Sequence, residues 1–230
     1  MNIAIILSGG VGTRMNTNIP KQYLLVNEKP IINYSIEKFL ANPSIDEIVI
    51  AIADEWCQFV IEHIESLMPT KNIYFSHAGI TRQHSIYNAL KVIKQKGHAD
   101  HDIVIIHDAA RPLVNMDLIN KCITECGKND GIMPVIPVKD TVYLSKDGKN
   151  IDALLNRSQL WAGQAPEAFV LGPYWKAHES MTEEDISAIT GSTELAYKAG
   201  LRIQLIKGDP LNFKITTSED LVNFENIINR

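Results

Sequence analysis

The chain has 230 residues, of which 45% are hydrophobic and 21% are charged, and its formal net charge is −5. This length is enough to bury a sizeable core, and the negative charge disfavours a nucleic-acid partner. No stretch approaches the ~20 apolar residues of a membrane span, and the first residues lack the basic start of a signal peptide. We therefore expect a cytoplasmic protein with neither nucleic-acid nor membrane partners.

Short apolar runs and amphipathic stretches alternate along the first 138 residues. The apolar runs predict buried strands at 3–7, 47–53, 72–75, 102–106 and 131–138, and the prolines of the last one predict an edge or a bend. Apolar residues at helical spacing predict helices at 30–40, 55–68, 83–94 and 116–126. This alternation predicts an α/β fold with a mostly parallel sheet.

Residues 139–157 have a different pattern. Thr141 to Leu144 favour a strand, and Asp147-Gly148 is a strong hairpin dipeptide. A hairpin is marginally stable alone, so we expect this arm to pack against a second subunit. The sequence shows neither repeats nor a flexible linker, which predicts a single domain over 1–230 with 139–157 as an inserted β-arm.

Three polar segments follow predicted strands, at 8–21, 76–85 and 107–111. Ligands of parallel sheets bind beyond the carboxyl ends of the strands. Because the three segments converge on one edge, we expect the ligand site there.

The first segment combines a glycine loop with two cations. Its glycines let the backbone approach phosphate oxygens, although their spacing fits neither a dinucleotide fingerprint nor a Walker loop. Arg14 and Lys21 would offset the charge of a triphosphate. The alternative interpretations are that the glycine loop is a plain strand-to-loop turn and that Arg14 and Lys21 are solvated surface charges.

The second and third segments add hydroxyl, carboxylate and guanidinium groups. Gly79 permits close approach and Ser85 could donate to a base or ribose, although a helix cap explains this loop equally well. Asp108 is suited to a hydroxyl or Mg²⁺ and Arg111 to a phosphate, the alternative being an ion pair that shapes the loop. We expect His107 to be structural.

The last polar segment precedes a predicted C-terminal helix. Either Thr217 or Ser218 can cap this helix, with Glu219 and Asp220 in its first turn. Lys214 lies in the extended run before the cap, where it could supply a third cation at the phosphates.

Six motifs together resemble one family over nearly the whole chain. They are LSGGVGTRM with PKQYL, GITRQHS, IHDAARPLV, VKDTV, NRSQLWAGQAPEAF and NFKITTSEDL. The family is similar to this chain in the order of these motifs, and it contains 2-C-methyl-D-erythritol 4-phosphate and ribitol-5-phosphate cytidylyltransferases. The resemblance implies a Rossmann-like nucleotidyltransferase domain whose hairpin arm exchanges between the subunits of a homodimer.

The resemblance also implies roles for individual residues. A phosphate oxygen of a polyol phosphate would attack the α-phosphorus of CTP and release pyrophosphate, with Mg²⁺ as cofactor and Asp108 as a candidate metal ligand. Arg14, Lys21, Lys214 and Arg157 would be catalytic. Asp108, Arg111 and Thr190 would bind the polyol phosphate, with Thr141 and Arg157 reaching it from the partner's arm. The CTP-binding set would be Leu7, Ser8, Gly9, Gly10, Gly79, Ile80, Thr81, Arg82, Gln83, His84 and Ser85.

Departures from the family pattern bear on the acceptor. Erythritol-phosphate enzymes usually read A-A-G, Q-T-P-Q and T-D-D/E-A, where this chain has S-G-G at 8–10, Q-A-P-E at 164–167 and T-G-S-T-E at 190–194. These departures, with Asn156-Arg157 and Gly163-Gln164, favour D-ribitol 5-phosphate, although Ala165 departs from that branch too. The alternatives are 2-C-methyl-D-erythritol 4-phosphate as acceptor and, more remotely, a non-catalytic CTP-binding module.

Overall fold

The structure is a computed structural model that describes residues 1–10 and 19–230. Arg14, predicted to bind the triphosphate, lies outside the described residues. The helices are α1 (Ile31–Ala41), α2 (Cys57–Glu65), α3 (Arg82–Gln95), α4 (Met116–Cys126), α5 (Leu171–Glu179), α6 (Glu183–Ala188), α7 (Ser192–Lys198) and α8 (Ser218–Ile228). The strands are β1 (Asn2–Leu7), β2 (Leu25–Val26), β3 (Lys29–Pro30), β4 (Glu47–Ile52), β5 (Asn72–His77), β6 (Ile103–Asp108), β7 (Gly131–Pro137), β8 (Tyr143–Leu144), β9 (Ala153–Leu154), β10 (Trp161–Gly163), β11 (Glu167–Val170) and β12 (Ile203–Lys207).

The main sheet is mostly parallel. Strands β5, β4, β1 and β6 lie side by side in parallel, and β11 then runs antiparallel to both β6 and β7. Strand β12 pairs in parallel with β7, and β10 pairs antiparallel with it. The α/β fold class predicted from the alternation of strands and helices is therefore confirmed.

Helices cover both faces of this sheet, so the central strands are apolar on both sides. In β1, Ala4 and Ile6 face a core built with α1, α2 and α4, whereas Ile3 and Ile5 face a core built with α3, α5 and α7. All four side chains are fully buried. This double burial explains why β1 is a continuous apolar run rather than an alternating one.

Strand β7 carries the predicted prolines and is not an edge strand, because it pairs with other strands on both sides. Gly131 pairs with both β11 and β12, and Val135 pairs with both β10 and β12. Strands β10 and β11 therefore follow one another along the same edge of β7. Pro134 lies between Ile132, the last residue paired with β11, and Val135, the first paired with β10. A proline has no N–H to donate, and it stands here where β7 changes partner rather than at an edge of the sheet.

The register of the parallel strands brings their carboxyl ends together. Leu7 at the end of β1 pairs with Ala51 of β4 and with Asp108 of β6, and Ala51 pairs in turn with Ser76 of β5. The three polar segments that follow β1, β5 and β6 consequently leave the sheet at one edge.

Strands β8 and β9 form a separate two-stranded hairpin within residues 139–157. Its turn is ordered by Asp147, whose Oδ1 accepts hydrogen bonds from the backbone of Lys149 and Asn150. Tyr143, Leu144 and Leu154 are all exposed on the hairpin. Within the described residues, no helix is long and apolar enough to cross a bilayer.

The C-terminal helix α8 begins with a capping box at Thr217. The Thr217 Oγ1 accepts a hydrogen bond from the Asp220 backbone at 3.2 Å, and the Asp220 carboxylate accepts one from the Thr217 backbone at 2.9 Å. Of the two predicted caps, Thr217 and Ser218, the structure selects Thr217. The cap fixes the start of α8 directly after the run that contains Lys214.

Replacing Thr217 by alanine should therefore lower the free energy of unfolding by about 1 kcal/mol, since a backbone N–H of α8 loses its acceptor. The matched control is Ser218→Ala, which removes a neighbouring exposed hydroxyl and should change stability by less than about 0.5 kcal/mol. Urea unfolding of both variants measures this difference. Equal losses in the two variants would contradict the assigned cap.

Candidate functional site

A cavity of about 480 Å³ opens at the carboxyl ends of β1, β5 and β6. Among the described residues, all three predicted site segments contribute to its lining, together with the run before α8. The lining residues are Leu7, Gly9, Gly10, Lys21, Gln22, Gly79, Ile80, Thr81, Arg82, Ser85, Asp108, Ala110, Lys214 and Thr216.

The loop after β1 is held in place by Gln22 and Tyr23. The Gln22 side-chain amide donates to the carbonyls of Ser8 and Gly10 at 2.7 and 2.8 Å, and the Tyr23 hydroxyl donates to the Ser8 carbonyl at 2.7 Å. These contacts hold the backbone of residues 8–10, the described part of the loop, against the protein. A glutamine and a tyrosine do not by themselves predict that they hold this backbone, although they directly follow Lys21 in the sequence.

The same short turn places Lys21 in the cavity wall. Residues Lys21–Tyr23 form one 3₁₀ turn, and Lys21 is only 9% exposed. Ser8 does not line the cavity, because its hydroxyl donates to the Tyr23 hydroxyl oxygen at 2.8 Å. Gly9 packs against Ala78 so closely that a Cβ would lie 2.3 Å from the Ala78 Cβ, which explains the need for glycine there.

The segment 79–85 forms the opposite wall. The Gly79 N–H donates to the Ser85 Oγ at 2.9 Å, and this hydroxyl donates to the Thr81 carbonyl at 3.0 Å. Thr81 caps helix α3 by accepting a hydrogen bond from the His84 backbone. The turn is thus the helix cap expected as one alternative, and it also lines the cavity. The Ser85 hydroxyl donates within this turn rather than toward the cavity.

Two members of the predicted CTP set point away from the cavity. The Gln83 side-chain amide lies 2.6 Å from the His178 Nε2 in the core, where Gln83 is 1% exposed. The His84 ring contacts the Thr81 Oγ1 and the Glu183 carboxylate. Their side chains support the fold of the wall rather than line it.

Three cations surround the carboxylate of Asp108. The Lys214 Nζ lies 3.0 Å from Oδ2, the Arg111 Nε lies 3.4 Å from Oδ2, and the Arg82 guanidinium lies 3.4 Å from Oδ1. We call these four residues the Asp108 cluster. Each cation comes from a different part of the chain, so the cluster joins α3, the loop after β6 and the run before α8.

The charges of the Asp108 cluster stabilise one another. Burial raises the pKa of Asp108, but the positive charges of Arg82, Lys214 and Arg111 outweigh that effect and hold it far below its usual range. Burial lowers the pKa of Arg82, but Asp108 and Glu167 raise it above its usual value. Asp108 and Arg82 are therefore both ionised near neutral pH.

His107 supports the loop that carries the cluster. Its ring is fully buried, and its Nε2 donates to the Arg111 carbonyl at 3.0 Å. Burial lowers its pKa to about 4, so the ring is neutral near pH 7. The Arg111 guanidinium also donates to the Asn212 carbonyl at 2.7 Å, which ties this loop to the run before α8.

Three predicted substrate residues lie apart from this cavity within the subunit. The Arg157 guanidinium donates to the Lys139 carbonyl at 2.6 Å and is exposed, like Thr141 on the same arm. The Thr190 hydroxyl donates to the Glu194 carboxylate at 3.0 Å. None of the three is among the described residues that line the cavity.

Glu167 and Ser192 hold the Arg82 side chain in the site, and no motif in the sequence predicts this role. The Glu167 carboxylate lies 3.2 Å from the Arg82 guanidinium, and the Ser192 hydroxyl contacts both side chains. In sequence these residues are 85 and 110 positions from Arg82. Only the fold brings them together.

Comparisons with known proteins agree on one family. The family model described as "IspD: 2-C-methyl-D-erythritol 4-phosphate cytidylyltransferase" matches residues 2–230. The 2-C-methyl-D-erythritol 4-phosphate cytidylyltransferase of Clostridioides difficile is 36% identical over 100% of this chain and 94% of that protein. The enzyme of the same name from Clostridium tetani is 37% identical over 100% of this chain and 91% of that protein.

Solved structures give the same result. The Francisella tularensis 2-C-methyl-D-erythritol 4-phosphate cytidylyltransferase superposes with a TM-score of 0.79 at 28% identity, covering 97% of this chain and 99% of that chain. A crystal structure of 4-diphosphocytidyl-2C-methyl-D-erythritol synthase gives a TM-score of 0.81 at 26% identity, covering 99% of this chain and 98% of that chain.

These matches confirm the predicted nucleotidyltransferase class and correct the predicted acceptor. The preference for D-ribitol 5-phosphate is wrong, because the family model and the full-length relatives carry the name of the methylerythritol-phosphate enzyme. The chain belongs to the IspD family of 2-C-methyl-D-erythritol 4-phosphate cytidylyltransferases.

Proposed function

We propose that this enzyme transfers the cytidylyl group of CTP to 2-C-methyl-D-erythritol 4-phosphate and releases pyrophosphate. The observation that carries the proposal is a cavity lined by Gly9, Gly10 and Lys21 and by three members of the Asp108 cluster, which are Arg82, Asp108 and Lys214. The family and the full-length relatives support this acceptor.

The order of the strands supports our proposal that the cavity is divided between the two substrates. The loop after β1 and the wall after β5 flank β4, so the nucleotide lies over β1, β4 and β5, in contact with Leu7, Gly9, Gly10, Gly79 and Ser85. The acceptor phosphate lies over β6, beside Arg82 and Asp108, which line the cavity, whereas Arg111 is not among the described lining residues and supports Asp108 from behind. Arg82 thus serves the acceptor, although its backbone belongs to the nucleotide wall.

The reaction needs positioned charge more than covalent help from the protein. A phosphate oxygen of the acceptor attacks the α-phosphorus of CTP, and the bond to the β-phosphate breaks as pyrophosphate leaves. Negative charge builds up on the phosphate oxygens, where Lys21, Lys214 and Arg14 stabilise it. Lys21 and Lys214 already line the cavity, so they can stabilise this charge without reorganisation and their geometry contributes directly to the rate.

The described residues do not form a resident magnesium site. Asp108 is the one carboxylate among the described lining residues, and both its oxygens already face cations. Magnesium prefers oxygen ligands that include substrate phosphates and waters. We therefore assign the metal to the substrate, as the magnesium complex of CTP, and we do not retain Asp108 as its ligand.

The exposed hairpin supports a homodimer in which the arm completes the partner's site. Tyr143, Leu144, Ile151 and Leu154 are between 46% and 68% exposed on this arm, an apolar surface that a second subunit would cover. Thr141 and Arg157 lie on the same arm and line no part of their own subunit's described cavity. We propose that they reach the acceptor bound to the other subunit.

With CTP and magnesium, pyrophosphate should be released when methylerythritol phosphate is added and not when ribitol 5-phosphate is added. A coupled phosphate assay with the two acceptors in parallel measures this. Release with ribitol 5-phosphate alone would overturn the proposed acceptor. CTP binding by calorimetry without release in either tube would support a non-catalytic module instead.

Replacing Lys21 by methionine should reduce kcat by about 10²–10³, the typical loss when one preorganised donor to developing charge is removed. Methionine keeps the length of the side chain, so the fold should persist, as circular dichroism and urea unfolding would show. The matched control is Lys121→Met on the exposed side of α4, which should keep wild-type kcat. A Lys21→Met enzyme with wild-type kcat would remove Lys21 from the mechanism.

Mixing two inactive variants should restore activity if the arm acts between subunits. Arg157→Ala removes the donated side chain, and Lys21→Met disables the receiving site. A 1:1 mixture refolded together forms mixed dimers with one intact site each, which predicts about one quarter of wild-type activity. No recovery in mixed dimers, verified by differential tags, would place Arg157 outside the partner's site.

A further inference from the structure

Glu167 is a nearly buried carboxylate at the start of β11. It is 5% exposed and pairs in register with Ile106, two residues before Asp108 on the neighbouring strand. Its side chain therefore lies at the same end of the sheet as the Asp108 cluster. A buried carboxylate is costly unless donors satisfy it, so its partners indicate its role.

The donors to Glu167 come from two separate helices. Its Oε1 accepts hydrogen bonds from the backbone and the hydroxyl of Thr193, at 3.2 and 2.6 Å. Its Oε2 accepts hydrogen bonds from the Ser192 hydroxyl and from the Arg82 guanidinium. The carboxylate thus joins the start of α7 to the start of α3.

Arg82 is held from two sides as a result. One edge of its guanidinium faces Asp108, while Nη1 donates to Ser192 and Nη2 lies 3.2 Å from Glu167. Three cations then face two carboxylates, which leaves one net positive charge around the acceptor phosphate. Asp108 alone would leave Arg82 free to rotate about its contact with one oxygen.

The contacts of Glu167 also connect two positions at which this chain departs from the family pattern. Glu167 stands where the family usually carries glutamine, and Ser192-Thr193 stand in the T-D-D/E-A stretch. In the structure these two departures touch each other and Arg82. They form one local arrangement rather than two independent changes.

We infer that Glu167 is a positioning residue of this enzyme, which fixes the Arg82 guanidinium against the acceptor phosphate. The kinetic part of this inference rests on the proposed function. Glu167 touches neither substrate and acts through Arg82. It should therefore affect binding of the acceptor and leave binding of CTP unchanged.

Glu167→Gln is the sharpest variant because it keeps the size of the side chain. The amide nitrogen of glutamine cannot accept hydrogen bonds. Either the Thr193 donors to Oε1 or the Arg82 and Ser192 donors to Oε2 therefore lose their acceptor. We expect KM for methylerythritol phosphate to rise about ten-fold, as for one lost charged hydrogen bond, with KM for CTP unchanged. Glu184→Gln, at an exposed position of α6, is the control and should keep both constants.

A kinetic double-mutant cycle with Arg82→Gln separates positioning from general damage. If Glu167 acts through Arg82, adding Glu167→Gln to Arg82→Gln should raise KM for the acceptor little further. Additive losses would overturn the inference, as would an equal rise in KM for CTP.

The same four proteins should also be unfolded in urea without substrate. Coupling between Arg82 and Glu167 in the free energy of unfolding is expected from the direct contact, and its absence would overturn the inference whatever the reaction. If wild-type enzyme releases no pyrophosphate with methylerythritol phosphate, the proposed acceptor fails, while this unfolding cycle still decides the pairing.

Discussion

The buried carboxylate of Asp108 organises the site, because three cations from distant parts of the chain converge on it. Bringing Arg82, Arg111 and Lys214 together would cost free energy through mutual repulsion and lost hydration. Asp108 offsets that cost at 3.0–3.4 Å from each cation, so the positive charge is assembled before substrate arrives. Under the proposed function, an entering phosphate would meet an array that is already assembled and would not have to recruit separate side chains.

The sheet decides where this array can form. Asp108 is the last residue of β6, and the parallel register places it beside Leu7 at the end of β1. A shift by one residue would turn Asp108 toward the opposite face. The apolar double burial of β1, β4 and β6 excludes such a shift, so the hydrophobic core also specifies the position of the charges.

The sequence predicts the first half of the fold well because apolar runs and helical spacing are local signals. The buried parallel strands and the segments that follow them could be located in this way, including Lys21 and Asp108, and the cap signal of α8 located Lys214. The residues that hold the site in place could not be predicted from the sequence. Gln22, Tyr23 and Glu167 act through contacts that exist only in the folded chain. Short strands such as β10 and β11 likewise depend on pairing with β7 rather than on their own pattern.

The incorrect prediction of the acceptor also arose from contacts that only the folded chain creates. Departures at Glu167 and at Ser192-Thr193 are informative about the acceptor only if each side chain contacts it directly. In the fold they contact Arg82 and one another, so they report how a cation is held rather than which polyol it binds. Sequence differences that support a ligand-binding residue can thus change together while the substrate stays the same, and full-length similarity then identifies the substrate class better than individual motifs do.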